Sequence, residues 1–145
     1  MKTITKKISI VLAVLLMMLA LGACSKDGGG TDGDLGRTFS TLFFDYTVVS
    51  AERTAEYDGH TPADGKDLLV LSVKVKNDFG STLPMYDTDF QLQWGEGDED
   101  FAWAVDAFND KMMPLEWELE DKKEITYDML FEVPKDQKNF SLVYL

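Results

Sequence analysis

Between Ile125 and Val133 every odd position is apolar or aromatic (Ile125, Tyr127, Met129, Phe131, Val133), while Thr126, Asp128 and Glu132 lie opposite. A helix would scatter the odd set around its circumference; a strand places it on one face. Leu69–Lys76 repeats the pattern, with Leu69, Leu71, Val73 and Val75 set against Ser72, Lys74 and Lys76, and Val70 as the exception. Both segments therefore read as half-buried strands. Leu42–Ala51, Phe90–Trp94, Phe101–Val105, Leu115–Leu119 and Phe140–Tyr144 are further strand candidates. Turn chemistry separates most of them: Asp58-Gly59, Asp64-Gly65, Asn77-Asp78-Phe79-Gly80, Gly95-Glu96-Gly97-Asp98 and Glu120–Lys123. Pro134 ends the long strand. No ten-residue stretch after Thr38 carries helical periodicity, and Phe108–Met113 allows a short turn of helix at best.

Seven short strands with frequent turns predict an all-β chain folded as an antiparallel, immunoglobulin-like β-sandwich, with a closed small barrel as the alternative. The Cys…Trp…Cys signature of antibody domains is absent. The chain has one cysteine, Cys24, so no internal disulfide supports the core. A domain of roughly 110 residues buries about two-thirds of its unfolded surface, enough to fold unaided, and 45% hydrophobic residues supply the material.

Three regions are predicted: a signal segment over 1–23, a linker over 24–37 and the sandwich over 38–145. Lys2, Lys6 and Lys7 form a basic start, followed by the apolar run Ile8–Leu21, in which Ser9 alone is polar. Fourteen helical residues span about 21 Å, short of the roughly 30 Å hydrocarbon core, which fits an export signal better than a permanent span. The run ends in Leu21-Gly22-Ala23-Cys24, which looks like a lipobox. In bacterial lipoproteins that pattern implies a diacylglyceryl group on the cysteine sulfur and cleavage before it. Two acyl chains anchor stably where one does not, so a lipidated Cys24 would hold the chain to the membrane on the extracytoplasmic face. Ser25–Arg37 is rich in Gly, Asp and Ser and reads as a flexible tether. The spacing of Asp27, Asp32 and Asp34 lacks the alternating ligands and closing glutamate of a calcium loop.

The formal charge is −12, from 14 basic and 26 acidic residues. Removal of the three signal lysines from the 14 basic residues leaves 11 against 26, a mature charge of −15. Such a surface repels phosphate backbones, which excludes a nucleic-acid function, and offers no polybasic patch to anionic lipid heads. Its ordinary consequence is solubility.

Few residues point to chemistry. His60 is the single histidine, in Asp58-Gly59-His60-Thr61-Pro62, and reads as a solvated loop residue. Gly59–Lys66 resembles a phosphate loop superficially, but it has one intervening residue too many, Asp67 where Ser or Thr is needed, and a strand where a helix should follow. Glu96, Asp98, Glu99 and Asp100 concentrate carboxylates that could take Ca²⁺, although a solvated hairpin tip that discourages edge pairing is the simpler reading. Trp94, Trp103 and Trp117 alternate with Leu92, Phe101 and Leu115, and large aromatics at period two point to core. No catalytic constellation emerges and no cofactor is implied.

The lipobox, the tether, the segments Val48-Val49-Ser50-Ala51-Glu52-Arg53 and Leu69–Asn77, and Leu130-Phe131-Glu132-Val133-Pro134 resemble the secreted Ig-like lipoproteins classed as domain of unknown function 4352. Members often carry a glycine shortly before the last of these strands, where this chain has Tyr127-Asp128. The resemblance covers most of 38–145. It implies an extracellular β-sandwich of Gram-positive bacteria and supplies no catalytic residues. The expectation is a non-enzymatic, lipid-anchored module that binds an extracellular protein, peptide or envelope component. A calcium-dependent binder using residues 96–100 and a hydrolase built from dispersed carboxylates are the alternatives.

Overall fold

The computed structural model describes residues 32–145. Nine strands follow one another: β1 (Thr38–Ser40), β2 (Phe44–Thr54), β3 (Lys66–Asn77), β4 (Leu83–Tyr86), β5 (Phe90–Gln93), β6 (Phe101–Ala102), β7 (Glu116–Leu119), β8 (Glu124–Pro134) and β9 (Ser141–Tyr144). All pair antiparallel. One layer is the sheet β1-β2-β3-β8; facing it are the pair β4-β7 and the sheet β6-β5-β9. The fold is an antiparallel β-sandwich, as the alternation predicts. Among the described residues no helix is long and apolar enough to cross a membrane.

The core lies between the layers. Leu69, Leu71, Val73 and Val75 of β3 and Met129, Phe131 and Val133 of β8 meet Met85, Phe90, Leu92 and Leu119 of the other layer. Aromatic rings bridge the gap edge-on: Phe44 lies 4.9 Å from Tyr144 and Tyr46 5.5 Å from Phe90, centroid to centroid. The period-two reading holds on this face. It fails on the other face, toward the end of β3 and β8 that carries Leu68 and Leu130. Both are fully buried there, packed with Met112, Tyr57, Val70 and Val105 in a second, smaller core. The unbroken apolar runs Leu68–Leu71 and Met129–Phe131 reflect strands covered on both sides.

That covering comes from residues 103–113, which cross from β6 onto β8. Val105 N donates to Leu130 O (2.7 Å), Asp128 N to Lys111 O (2.9 Å) and Met113 N to Asp128 O (2.9 Å). Phe108–Met113 forms a turn and an isolated bridge, not helix. The crossing also satisfies part of the open edge of β8, which would otherwise present unpaired peptide groups.

Two strands were outside the sequence reading. β1 holds to β2 by three residue pairs and a Thr38–Thr47 hydroxyl hydrogen bond (2.9 Å). β4 contains Pro84, which sits at an exposed position of the pair with β7. Between β4 and β5 a 3-10 turn, Asp87–Asp89, is fastened by Tyr86 N donating to Asp89 Oδ2 (2.8 Å). Residues 32–37, the last of the predicted tether, carry a 3-10 turn, and Gly36 N donates to Val48 O (2.9 Å).

Candidate functional site

A polar cluster sits on the outer face of β3 and β8. Asp58 and Gly59 both have positive φ (46° and 85°), and Tyr57 and His60 exchange both backbone hydrogen bonds (3.0 and 2.9 Å). This is the two-residue hairpin that an Asp-Gly pair favours. The hairpin folds back on the sheet: Tyr57 Oη donates to Asp128 Oδ2 (2.9 Å), and Ser72 Oγ donates to Asp128 Oδ1 (2.6 Å). Burial, reinforced by the Asp128 hydrogen bond and charge, pushes the Tyr57 phenol up to about 12.

His60 departs from the solvated loop residue expected of it. Its ring stacks on Phe108 (5.7 Å, 25°), and Nε2 lies 3.4 Å from Glu132 Oε1. That distance permits an ion pair with a protonated ring, but the nitrogen is buried and makes no aligned hydrogen bond. Glu132 also faces Ala63 N (3.5 Å) and Lys66 Nζ (3.9 Å). The chemistry of the cluster is that of a clasp. Ser72 and Tyr57 both donate hydrogen bonds to one carboxylate, and the imidazole lies beside a different one. Asn109, donating to Asp58 Oδ2 (2.9 Å), and Phe108 close the clasp from the crossing segment.

The four acids of the 95–100 loop do not converge. Asp100 turns back over its own loop, where Oδ2 accepts from Gly97 N (3.0 Å), and a Cβ at Gly95 would collide with the same carboxylate. Among the described residues no three His, Cys, Asp or Glu side chains are placed to hold a metal ion, and that includes Glu96, Asp98 and Glu99.

The tryptophans divide. Trp94 packs against the core beside Phe140 (6.0 Å), and Trp117 beside Tyr127 (5.2 Å), with Trp117 Nε1 buried and unpartnered. Trp103, expected in the core, is 44% exposed and meets Phe101, itself 37% exposed, edge-on at 6.0 Å. The reason is an inverted alternation: Ala102 and Ala104 turn inward against the core, and the large rings between them turn out. Phe101–Val105 accordingly pairs as a strand over Phe101–Ala102 alone.

Two further features escaped the sequence reading. Asp87 is 5% exposed, with Oδ1 lacking a partner. Burial raises its carboxyl above the ordinary range, Asp106 and Asp89 add to the rise, and the Thr88 backbone opposes it. At one end of the sandwich Phe43 and Phe79 interlock edge-on (5.4 Å, 64°) beside Leu42, which is 88% exposed. Cys24 and the lipobox residues Leu21, Gly22 and Ala23 lie outside the described residues, as do the signal segment and the first part of the linker.

No protein-family profile and no curated protein matches the chain. Solved structures do. The yjhA protein of Bacillus subtilis superposes with a TM-score of 0.62 at 20% identity, over 77% of this chain and 80% of that one. The ycdA protein of the same organism, a candidate lipoprotein, gives 0.61 at 18% identity over 74% of this chain. This chain spans about a third of ycdA, 32% of its length. An uncharacterized β-sandwich protein of Clostridium difficile gives 0.47 at 10% identity, over 77% of this chain and 91% of that one. At such identities the similarity extends to the fold alone.

Proposed function

We propose that this chain is a lipid-anchored, non-catalytic interaction module on the extracytoplasmic face of the membrane, related to the Ig-like lipoproteins of domain of unknown function 4352. Its contact surface is the Phe101–Trp103 pair, which takes an extracellular protein, a peptide or an envelope component. The exposed Trp103 carries the reading. An ordered indole outside the core, backed by an edge-on phenylalanine, offers large apolar area at low entropic cost, the property that makes tryptophan frequent among residues dominating binding energy. Alanines at 102 and 104 hold the rings in place without burying them.

The anchor is supported by the basic start, the apolar run and the Leu21-Gly22-Ala23-Cys24 ending, and the fold is shared with a candidate lipoprotein. The non-catalytic reading is supported by the clasp: the Asp128 carboxylate accepts from Tyr57 and Ser72 and so serves to fasten a hairpin. The test is retention of solubilised envelope components on immobilised mature chain, compared with Trp103→Ala and Phe101→Ala. The expected result is a set of components held by the wild type and lost from both variants at unchanged melting temperature. Equal retention by wild type and variants would remove the aromatic pair from the function.

A further inference from the structure

We infer that the loop tips carrying Leu42, Phe43 and Phe79 form a second, apolar contact with the lipid bilayer, so that the anchored domain stands on the membrane with Trp103 facing away from it. This inference rests on the lipid anchor at Cys24.

Three observations point to the bilayer. The first is that the tip is built. Thr41 Oγ1 accepts from Phe43 N (3.1 Å) and Phe44 N (3.0 Å), and Asn77 Oδ1 accepts from Phe79 N (2.8 Å). The fully buried Asn77 also donates to Ser81 O and Leu119 O (2.7 and 2.8 Å), and Gly80 N reaches Asp121 Oδ1 (2.9 Å). Each loop is thus fixed internally, the second also to the 119–121 turn, and the Phe43–Phe79 contact joins them, while the apolar side chains are left outward, with Leu42 88%, Phe43 42% and Phe79 51% exposed. A cluster of this kind enters the headgroup boundary without ordering new backbone.

The second is charge. The segments 41–44, 76–82 and 119–124 that form this end carry three lysines (Lys76, Lys122, Lys123) against four acids (Asp78, Glu120, Asp121, Glu124). In a mature chain of −15 this end is close to neutral, so an anionic leaflet repels it little. Lys76 and Lys122 also neutralise Asp78 directly, at 2.7 and 3.5 Å.

The third is where the chain joins the domain. Gly36 N bonds Val48 O, about 13 Å of strand from Phe44 but about 20 Å from the other end of β2 at Thr54. The twelve residues from Cys24 to Gly36 reach at most ~43 Å, enough for the tip to touch the surface to which Cys24 is anchored. A weak contact held at that range acts at millimolar effective concentration. Val105, two residues beyond Trp103, bonds Leu130, whose partners across the sheet are Val70 and then Glu52, about 26 Å of strand from Phe44. The aromatic pair therefore faces outward when the tip faces the lipid.

The experiment uses the full lipidated chain, purified from membranes and reconstituted in vesicles of phosphatidylethanolamine and phosphatidylglycerol without other protein. Cys24 is the single cysteine and its sulfur is blocked by lipid, so Ser81→Cys and Asp64→Cys each provide one thiol for a polarity-sensitive dye, at the tip and at the opposite end. Spin-labelled lipids should quench the dye at 81 at least threefold more than at 64. Leu42→Ser, Phe43→Ser and Phe79→Ser combined should abolish that difference at unchanged melting temperature. Co-flotation with equal quenching at both positions would keep the anchor and overturn the tip contact. An unmodified mass at Cys24 with no co-flotation would overturn the anchor and this inference with it.

Discussion

Asn77 is the residue on which the Phe43–Phe79 end depends, and its removal has a calculable cost. Its side chain makes three hydrogen bonds to peptide groups, at Ser81 O, Leu119 O and Phe79 N, all from a fully buried position. Each is worth about 1 kcal/mol net, and more where the partner is left buried and unpaired. Asn77→Ala should therefore cost about 3 kcal/mol. For a domain near 110 residues a loss of 1 kcal/mol lowers the melting temperature by about 4 °C, so a drop of about 12 °C is expected in a thermal melt followed by circular dichroism. Asn77→Asp sharpens the reasoning because it keeps the shape and the acceptor for Phe79 N while setting a carboxylate oxygen against two carbonyls. That carboxyl is expected to titrate in the folded protein above its unfolded value of about 3.9. A raised native pKa means that the stability is fully present below the unfolded value and is lost as pH rises through the native one. The gap between variant and wild type should therefore be smaller at pH 5 than at pH 8. A drop under about 4 °C for Asn77→Ala, or a gap for Asn77→Asp that is the same at both pH values, would show that water or loop movement satisfies those groups and would refute the argument.

Asp87 follows the same sign: its native carboxyl is raised by burial, so its contribution is lost as pH rises toward neutrality. Asp87→Asn should raise the melting temperature at pH 7 and progressively less toward pH 4; a lower melting temperature at pH 7 would count against it. Tyr57, at about 12, should be missing from the tyrosinate absorbance that develops near pH 10, and Tyr57→Phe should remove the step at highest pH. A complete titration of the wild type by pH 11 would contradict the clasp. Calcium at millimolar concentration should leave the melting temperature unchanged, since Asp100 is committed to Gly97 N; stabilisation by calcium would revive the cation site at 96–100.

The long strands were legible because burial on one face imprints period two on the residues themselves. β3 and β8 show it, and their extra apolar residues, Leu68 and Leu130, were the trace of a second covering layer. β1 and β4 left no comparable trace. Three residues are too few for a period, and Pro84 removes a backbone donor, which β4 tolerates because one of its edges is unpaired in the two-stranded sheet. The misplacement of Trp103 has a different origin: alternation fixes which residues share a face, not which face is inward, and two alanines took the inner one. His60 could not be placed at all from its neighbours. Its surroundings, Glu132 and Phe108, are contributed by a strand and a crossing segment about 50 to 70 residues away, and proximity of that kind is a property of topology.

The three residue pairs that bind β1 to β2 have a mechanical meaning. On the proposed anchoring, tension between Cys24 and a bound partner would enter the domain through Gly36 and β1, and meet the pairs Thr38–Thr47, Phe39–Tyr46 and Ser40–Asp45 before any other strand. Because β1 lies at the sheet edge and contributes one half-buried ring, Phe39, to the core, it can peel away while the sandwich stays closed. Peeling residues 37–41 releases about 17 Å of chain. The edge strand is in this sense a reel of slack: pulling lengthens the leash before it loads the core, and β1 winds back when the pull ends.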